Sequence, residues 1–313
     1  MTPELTIVVV NWNGGAYLRR CIQSVLESPP AVTYEIVIVD NGSTDGSIES
    51  LRSGVSSGAS IRFIENSENL GFGMANNQAF ASSTSPLLLL LNNDAEVTPN
   101  SIDTLISTLQ TDERIGACGP RLVNSDGSLQ VSAWRNPPTP WEILVSGLRL
   151  YRVLPSRFRG DLLLGRFWDH SRRRKVGMLS GAAILVKRAV IDEVGGFDEQ
   201  FHMYAEDDEW CLRVSQAGWS LIFEPDAVMI HHGGKSASVR WNNLERQSQI
   251  VEAGLRFQKH SLTKSHFISN LLANSVVVSL AYVWKKATGV EAAEARMKLG
   301  LYLGYLRRAL KEE

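Results

Sequence analysis

The stretch Leu5-Thr6-Ile7-Val8-Val9-Val10-Asn11-Trp12-Asn13-Gly14-Gly15 runs from a short, β-rich apolar segment straight into a polar turn. An apolar run of this length, with almost no polar alternation, suits a strand buried on both faces, as in a parallel sheet. Gly14 and Gly15 break it. Beyond them, apolar residues recur at Tyr17, Leu18, Cys21, Ile22, Val25 and Leu26, which is helical spacing, until Pro29 and Pro30 end the helix. The same unit then repeats outward. Glu35–Val39 reads as a strand terminating at Asp40, and Asn41-Gly42-Ser43 as a turn. A helix follows through Leu51, with Ser43 or Thr44 as its cap. Ile61–Ile64 reads as a third strand, residues 73–81 as a helix, and Leu87–Leu91 as a fourth strand. Strands and helices alternating at this pitch imply βαβ units, hence an α/β fold with a parallel sheet between helices. In such sheets ligands bind beyond the carboxyl ends of the strands. Asn11, Asp40 and Asn92-Asn93-Asp94 all stand at such ends. One polar residue there is commonplace; three in register point to a binding cleft.

The second half is less regular. Pro137, Pro138 and Pro140 interrupt the chain before an apolar, helical stretch from Trp141 to Leu154. Leu179–Val186 reads as a strand and is followed by a helix to Val194, which Gly195 and Gly196 close. Glu206–Gln216 reads as a helix ending at Gly218, Leu221–Phe223 and Ala227–Ile230 as short strands, and Leu244–Phe257 as a helix. No internal repeat or low-complexity tract interrupts this order.

The 313 residues are 44% apolar and 21% charged, an ordinary globular composition, and a formal charge of −1 argues against a nucleic-acid partner. Charge is uneven locally. Arg149 to Lys175 carries Arg149, Arg152, Arg157, Arg159, Arg166, Arg172, Arg173, Arg174 and Lys175 against Asp161 and Asp169. Either this is a solvated surface, or it faces anionic head groups or a diphosphate-bearing acceptor. Cys21, Cys118 and Cys211 form no CxxC pair and read as reduced, small apolar residues of a cytosolic protein. The chain enters its first apolar run at Leu5 with no basic segment before it and no cleavage site after it, so the expectation is a strand and not a signal peptide. Phe267–Trp284 is apolar but interrupted by Ser269, Asn270, Asn274, Ser275 and Ser279. It reads as a packing helix or a helix lying on a membrane, with Trp284-Lys285-Lys286 as an interfacial anchor, and falls short of a clean span.

Four clusters can carry chemistry. Asp40, at a strand end beside a glycine turn, is placed to accept a hydrogen bond from a base or ribose, although Asp, Asn, Gly and Ser are also the ordinary turn residues. Asp94, leaving a buried strand of leucines, has the geometry for a hard divalent cation on oxygen ligands, which would bridge the phosphates of a nucleotide. Glu206-Asp207-Asp208-Glu209 sits among Phe201, Met203, Tyr204 and Trp210. A half-buried acid there acquires a raised pKa and can serve as general base. His231-His232-Gly233-Gly234 follows a short strand, and a neutral imidazole would complete a metal shell.

In order along the chain come Val8-Val9-Val10-Asn11-Trp12-Asn13, Asp40-Asn41-Gly42-Ser43-Thr44-Asp45, Asn69-Leu70-Gly71-Phe72 and Leu91-Asn92-Asn93-Asp94. Ser180-Gly181-Ala182, Gly195-Gly196-Phe197-Asp198-Glu199, Glu206-Asp207 and His231-His232-Gly233-Gly234 follow. This ordered series resembles the family 2 inverting glycosyltransferases of GT-A fold, and most closely their bacterial rhamnosyltransferase-like branch. The resemblance implies a GT-A domain over residues 1–240, about 1–98 binding the nucleotide-sugar and about 99–240 the metal and acceptor, with a C-terminal helical extension at 241–313. It implies that Asn11 and Asp40 lie at the base and ribose, and that Asn69, Gly71 and Phe72 shape the donor pocket. Asn92, Asn93 and Asp94 would stand at the family's Asp-x-Asp position, with Asp94 the ligand of Mg²⁺ or Mn²⁺ and His231 the late metal-binding histidine. Asp207 would be the catalytic base, Glu206 its neighbour, and Gly181 would leave room for a sugar. Asn92 departs from the pattern of many relatives, which have Asp there, and removes one charge from the metal site.

The resulting expectation is a cytoplasmic enzyme, peripheral to the inner face of the membrane. It would transfer a sugar from dTDP-L-rhamnose, or a UDP-sugar, to a hydroxyl of a glycan or polyprenyl-diphosphate-linked acceptor. A sugar-nucleotide-binding protein without transfer activity and a nucleotidyltransferase are the alternatives. The second would favour a cation-bearing glycine loop after the first strand, where Asn11–Gly15 has none before Arg19.

Overall fold

Leu5, Ile7 and Val9 are fully buried on one side of the first strand and Val8 on the other, so the apolar run is continuous rather than alternating. The computed structural model describes residues 2–54, 60–134, 137–155, 160, 163–201, 204–233 and 243–311. Its first elements are β1 (Leu5–Asn11), α1 (Gly15–Glu27), β2 (Tyr34–Asp40), α2 (Ser47–Gly54), β3 (Ile61–Glu65), α3 (Phe72–Ser82) and β4 (Leu87–Asn92). β1 pairs in parallel with β2 and β4, and β2 with β3. The apolar stripe of α1 (Leu18, Cys21, Ile22, Val25) is buried in one cluster with Leu5, Ile7, Val9, Ile36 and Ile38. Fully burying one such aliphatic side chain contributes about 1.5–3 kcal/mol. In register, Asn11 stands beside Asp40 and Val10 beside Asn92. The carboxyl ends of β1, β2 and β4 therefore finish level.

β5 (Ala95–Val97), α4 (Ser101–Gln110) and β6 (Ile115–Val123) come next, then β7 (Ala133–Trp134), α5 (Pro140–Gly147), β8 (Arg174–Val176), β9 (Met178–Leu179) and β10 (Ala183–Lys187). α6 (Arg188–Val194), α7 (Glu206–Gln216), β11 (Ser220–His231), α8 (Asn243–Ser261), α9 (Lys264–Ala287) and α10 (Ala293–Ala309) complete the described elements. The main sheet runs β3-β2-β1-β4-β10-β6-β11-β5, with β8 also pairing to β11. β5, β8 and β10 pair antiparallel to their neighbours and the remaining strands pair in parallel. The sheet is thus mixed and mainly parallel, with helices against it, as the βαβ pattern predicts.

Several local expectations are corrected. α2 begins at Ser47, so neither Ser43 nor Thr44 caps it, because both are held in the turn. Ser43 Oγ donates to Asp40 Oδ1 at 2.6 Å, and Thr44 N–H to Asn13 Oδ1 at 2.8 Å. The strand expected over Leu179–Val186 is two strands, β9 and β10, separated by a turn at Ser180–Ala182. The two short strands expected after Gly218 are one, β11, with a register shift between Glu224 and Val228. The helix from Trp141 stops at Gly147, and a short 3₁₀ turn follows at Leu150–Val153.

The chain divides into two compact units, residues 1–134 with 170–239, and residues 135–169 with 240–313. The first holds the main sheet and a short antiparallel pair of β7 and β9. In the second, α9 packs with α5 and α10, and Leu255, Phe267, Leu271 and Ala309 are buried together. Gly147 meets Val277 so closely that a Cβ would collide with the valine. Thr139 and Glu142 form a complete capping box at the start of α5. The basic stretch is shared between the units. Within the first, Arg173 pairs with the buried Glu224, which also accepts from Thr108 Oγ1 at 2.8 Å. Arg157, Arg159, Asp161, Met203 and Gly234 lie outside the described residues. All three cysteines are buried and free.

Candidate active site

At the carboxyl end of β4 the chain leaves the sheet at Asn92 and re-enters at once as β5, which runs antiparallel to the end of β11. His231 therefore stands opposite Ala95, and the His232 N–H donates to Asp94 O at 2.9 Å. This pairing is what brings His231 to Asp94 across 137 positions of sequence. His231 Nε2 lies 3.2 Å from Asp94 Oδ1 and 3.5 Å from Asn92 Nδ2.

The other side of the imidazole is committed. Gln130 Oε1 lies 2.9 Å from His231 Nδ1, while Gln130 Nε2 donates to His231 O at 2.8 Å and to Asn124 Oδ1 at 2.6 Å. With its amide nitrogen fixed by two acceptors, Gln130 presents its oxygen to Nδ1, which must then carry the proton. In the neutral ring Nε2 is left with a lone pair aimed at a carboxylate oxygen. Two acceptors at this separation repel unless a proton or a cation lies between them. One carboxylate oxygen and one neutral imidazole nitrogen form a donor set suited to Mn²⁺, and to Mg²⁺ when phosphate oxygens complete it. His232, its neighbour, is used differently: Nδ1 meets Ser125 Oγ at 2.7 Å and Nε2 meets Glu96 Oε1 at 2.6 Å, with Tyr17 against the ring.

The turn between β9 and β10 lies at the same end of the sheet, since Ala183 pairs with Leu91 and Asn92 N–H donates to Ala182 O at 3.0 Å. Gly181 N–H donates to Asp207 Oδ2 at 2.9 Å, and Asp208 N–H to Asp207 Oδ1 at 3.0 Å. A Cβ on Gly181 would stand 3.3 Å from Asp207 Oδ2 and 3.4 Å from Phe72 Cε1. Glycine here keeps the backbone against the acid. Asp207 lies in the first turn of α7, which Tyr204 and Ala205 enter with φ of +64° and +70°. Two successive left-handed non-glycine residues are costly and mark a loop held by its surroundings.

The four acids of α7 separate in role. Glu209 is clamped by Arg213, at 2.6 Å to Nε and 2.8 Å to Nη2, and Arg213 also ties the Val194 and Gly196 carbonyls. It is a fixed ion pair inside the fold. Burial, and then the charges of Asp207 and Asp208, push Glu206 up to about 8. Burial and the Asp207 charge push Asp208 up to about 8, against a hydrogen bond to Trp134. Asp207 is also raised by burial, but the backbone N–H groups of Gly181 and Asp208 act the other way and favour its charged form. Burial raises all three adjacent acids, and Asp207 is the one whose charged form two backbone N–H donors favour. Neighbouring carboxyls set apart by their surroundings mark acid–base sites. Glu206 is buried rather than standing on an exposed rim.

These groups line one cavity of about 250 Å³, bounded by Asp94 and His231, Asp207 and Glu206, Gly181, Phe72, Asn69, Asn92 and Asn93. Asn11, Asp40 and Gly71 stand behind this lining. Asn11 is fully buried; its Nδ2 donates to Asp40 Oδ1, Ser43 Oγ and Ser47 Oγ, each at 3.0 Å, and its Oδ1 accepts from Asn93 Nδ2 at 2.9 Å. Gly71, at φ +94°, accepts from Asn41 Nδ2 at 3.1 Å and donates to Asn69 Oδ1 at 2.9 Å. Trp12, Asn41, Ser180 and Tyr204 also line the cavity, and none was singled out from the sequence. The signal was present, because side chains alternate along a strand. Asn11 and Asp40 continue the faces of Val9 and Ile38, which turn into the core, so the positions that meet the cavity are one residue on, at Trp12 and Asn41.

The family model of Glycosyl transferase family 2 matches residues 6–195, and that of Glycosyl transferase family 21 matches residues 170–309. An N-acetylglucosaminyl-diphospho-decaprenol L-rhamnosyltransferase of Mycobacterium tuberculosis is 31% identical, over 75% of this chain and 78% of its own. Among solved structures, a Pyrobaculum calidifontis mannosyltransferase in complex with GDP-Man and Mn²⁺ superposes with a TM-score of 0.60 at 18% identity, covering 99% of this chain and 85% of that one. The S. aureus protein TarS (residues 1–349), in complex with UDP-GlcNAc, gives 0.59 at 15% identity, covering 100% and 82%. The chain belongs to family 2 of the glycosyltransferases, with the GT-A fold, in its rhamnosyltransferase branch.

Proposed function

We propose that the chain transfers L-rhamnose, with inversion, from dTDP-L-rhamnose to a hydroxyl of a polyprenyl-diphosphate-linked sugar at the cytoplasmic face of the membrane. One observation carries the catalytic part: an Asp94–His231 pair suited to a cation and a backbone-held Asp207 line the same cavity. The donor and acceptor follow the name of the mycobacterial relative, which specifies both the sugar and the lipid diphosphate.

Asp94 and His231 would hold a Mg²⁺ or Mn²⁺, whose chemistry at this place is to neutralise charge on the diphosphate. Asn92 contributes an amide to that corner instead of a second charge, so affinity for the cation depends on the phosphate oxygens of the nucleotide. Asp207 accepts the proton of the acceptor hydroxyl as the oxygen attacks the anomeric carbon. The carbon–oxygen bond to the diphosphate breaks, the nucleoside diphosphate leaves, and the configuration inverts. Glu206, protonated beside it, donates a hydrogen bond to the acceptor and adds no negative charge. Asn11 and Asp40 act from behind the wall by fixing Asn93 and the Ser43 turn, while Asn41, Asn69 and Phe72 meet the donor.

Two alternatives predict different outcomes. A nucleotidyltransferase needs a cation on the loop after β1, and Arg19, the first one available, is bonded to Ser50 O at 2.9 Å and Ser50 Oγ at 2.8 Å. A binding protein would hold the donor without turnover. The test is release of nucleoside diphosphate from dTDP-L-rhamnose and from UDP-sugars, with and without Mn²⁺, given an N-acetylglucosaminyl-diphospho-lipid acceptor. Metal-dependent release with an inverted anomeric product is expected. Donor binding with no release from any of them would leave the binding reading in its place.

A further inference from the structure

α9 is apolar on two faces. Its buried face carries Phe267, Leu271 and Ala273 together with the polar Asn270 and Ser275. Asn270 Nδ2 donates to Pro138 O and to Gln258 Oε1, each at 2.9 Å, which locks that face to its own unit. The exposed face carries Leu272, Val276, Leu280, Val283 and Trp284, each between 49% and 63% exposed. Their spacing of four, four, three and one places them on one side of a helix. A soluble helix puts its apolar stripe inward, so this face is made for something other than water. Of the thirteen exposed large apolar residues among those described, twelve belong to the second unit.

Charge says what that something is. From Lys264 to Ala287 there is no Asp or Glu, and Trp284 is followed directly by Lys285 and Lys286. A second copy of this chain would bring one acid-free, basic helix against another, the acids beside Lys285 being Glu294 of α10 and Glu291 just before it. An anionic lipid surface supplies both the apolar layer and the countercharge. The helix has 24 residues and contains an 18-residue stretch of mean hydropathy 1.5, long and apolar enough to cross a bilayer by length and composition alone. Its buried face, with Asn270 tied down and Gly147 closely packed against Val277, stays on the protein, which leaves only one side for lipid.

We propose that α9 lies in the plane of an anionic membrane, with Leu272, Val276, Leu280 and Val283 immersed to the acyl boundary, Trp284 at head-group level and Lys285 and Lys286 among the lipid phosphates. The proposal rests on the lipid-linked acceptor for its purpose, and on the helix alone for its chemistry.

The experiment is flotation of the full chain with vesicles of phosphatidylcholine plus phosphatidylglycerol, against vesicles of phosphatidylcholine alone. The wild type floats with the anionic vesicles and is extracted by alkaline carbonate. The triple variant Leu280→Asn, Val283→Asn, Trp284→Ala changes only exposed positions and stays unbound. Lys285→Gln and Lys286→Gln each weaken binding about fivefold, since a cation near the surface is worth about 1 kcal/mol. Failure of the wild type to float, equal flotation of the triple variant, or resistance to carbonate overturns the proposal. So does a solution dimer that the triple variant converts to monomer, which would assign the face to a second copy. Turnover of a short-chain, water-soluble acceptor separates this from the functional reading. The triple variant keeps that turnover; a wild type that turns over the soluble acceptor yet ignores vesicles refutes the docking face and leaves the transferase reading intact.

Discussion

Asp207→Asn separates binding from chemistry. Both carboxylate oxygens of Asp207 accept a backbone N–H, at 2.9 Å from Gly181 and 3.0 Å from Asp208. An amide has one accepting oxygen, so in either orientation its NH₂ must face one of these donors. One charge-assisted hydrogen bond is lost and a backbone donor is left unmet, at a cost of about 1–3 kcal/mol. Against this, the variant removes the central charge of three adjacent acids, which is the largest charge contribution raising both Glu206 and Asp208. The two effects oppose, and the fold survives. Turnover does not: loss of a positioned base lowers the rate by a factor of about 10²–10⁴, equal to roughly 2.7–5.4 kcal/mol of transition-state stabilisation. On the proposed reading the donor lies against Asp94 and His231, away from Asp207, so its affinity should change little. The assay is nucleoside diphosphate release at saturating donor, alongside thermal shift with donor and Mn²⁺ and the control Asp208→Asn. Asp208 has no place in the cavity lining and its variant retains most activity. An inactive Asp208→Asn beside an active Asp207→Asn would refute the assignment of the base.

Glu206→Gln should raise the melting temperature at pH 8 and leave it nearly unchanged at pH 4. The folded pKa of Glu206 is raised to about 8 from an unfolded value near 4.3, so the folded state keeps a proton that the unfolded state releases. The stability linked to that proton is fully present below the unfolded value and lost as pH rises through the folded one. Identical melting–pH curves for variant and wild type would show that Glu206 titrates normally. Gln130→Leu should weaken Mn²⁺ binding in the presence of nucleoside diphosphate about 10–100-fold by calorimetry, because the imidazole loses the partner that fixes its tautomer; Gln130→Glu, which still accepts from Nδ1–H, should recover part of it, and unchanged affinity in Gln130→Leu would dismiss the tautomer argument. Gly14→Ala should destabilise by about 1–3 kcal/mol in urea unfolding, since its Cβ would strike Asn11 Oδ1 and stand 2.6 Å from Asn93 Nδ2; a smaller loss would mean that the Asn11–Asn93 bond is dispensable.

The first four strands were legible because parallel strands buried on both faces leave an unbroken apolar run, and their ends show where a ligand must sit. β6 was not. Its sequence, Ile115-Gly116-Ala117-Cys118-Gly119-Pro120-Arg121-Leu122-Val123, contains two glycines and a proline, which argue against a strand on local grounds. The structure supplies the reason they are there. A Cβ on Gly116 would stand 2.8 Å from Val190 and 2.9 Å from Trp219, and one on Gly119 would stand 2.9 Å from Leu179. The neighbours that require glycine are 60 or more residues away, so no window of sequence contains them. Gln130 was invisible for the same reason: its importance comes entirely from His231, which a strand pairing delivers. The acids of α7 were legible as a cluster, yet the division among them depends on Arg213 one turn on and on Gly181 from a different turn.

The sheet's direction explains why the two halves of the chemistry use different devices. Parallel strands β1, β2 and β4 bring their carboxyl ends to one edge, and Asp94 arrives there simply by following β4. A base facing that edge cannot come from another parallel strand end without crowding the first. Antiparallel β10 solves this by starting at the edge where β4 finishes, so that its preceding turn, Ser180–Ala182, lies beside Asn92. That turn carries no acid of its own; it offers the Gly181 N–H instead. The acid comes from the first turn of α7, where the helix dipole and the Asp208 N–H favour a negative charge. Among the described residues the charged form of Asp207 is therefore stabilised by backbone N–H groups, with no cation paired to it. A lysine or arginine paired with Asp207 would have lowered its pKa and removed its basicity. Two amide donors favour the charged form while burial raises the pKa, an opposition that suits the proposed role of taking a proton from an acceptor hydroxyl.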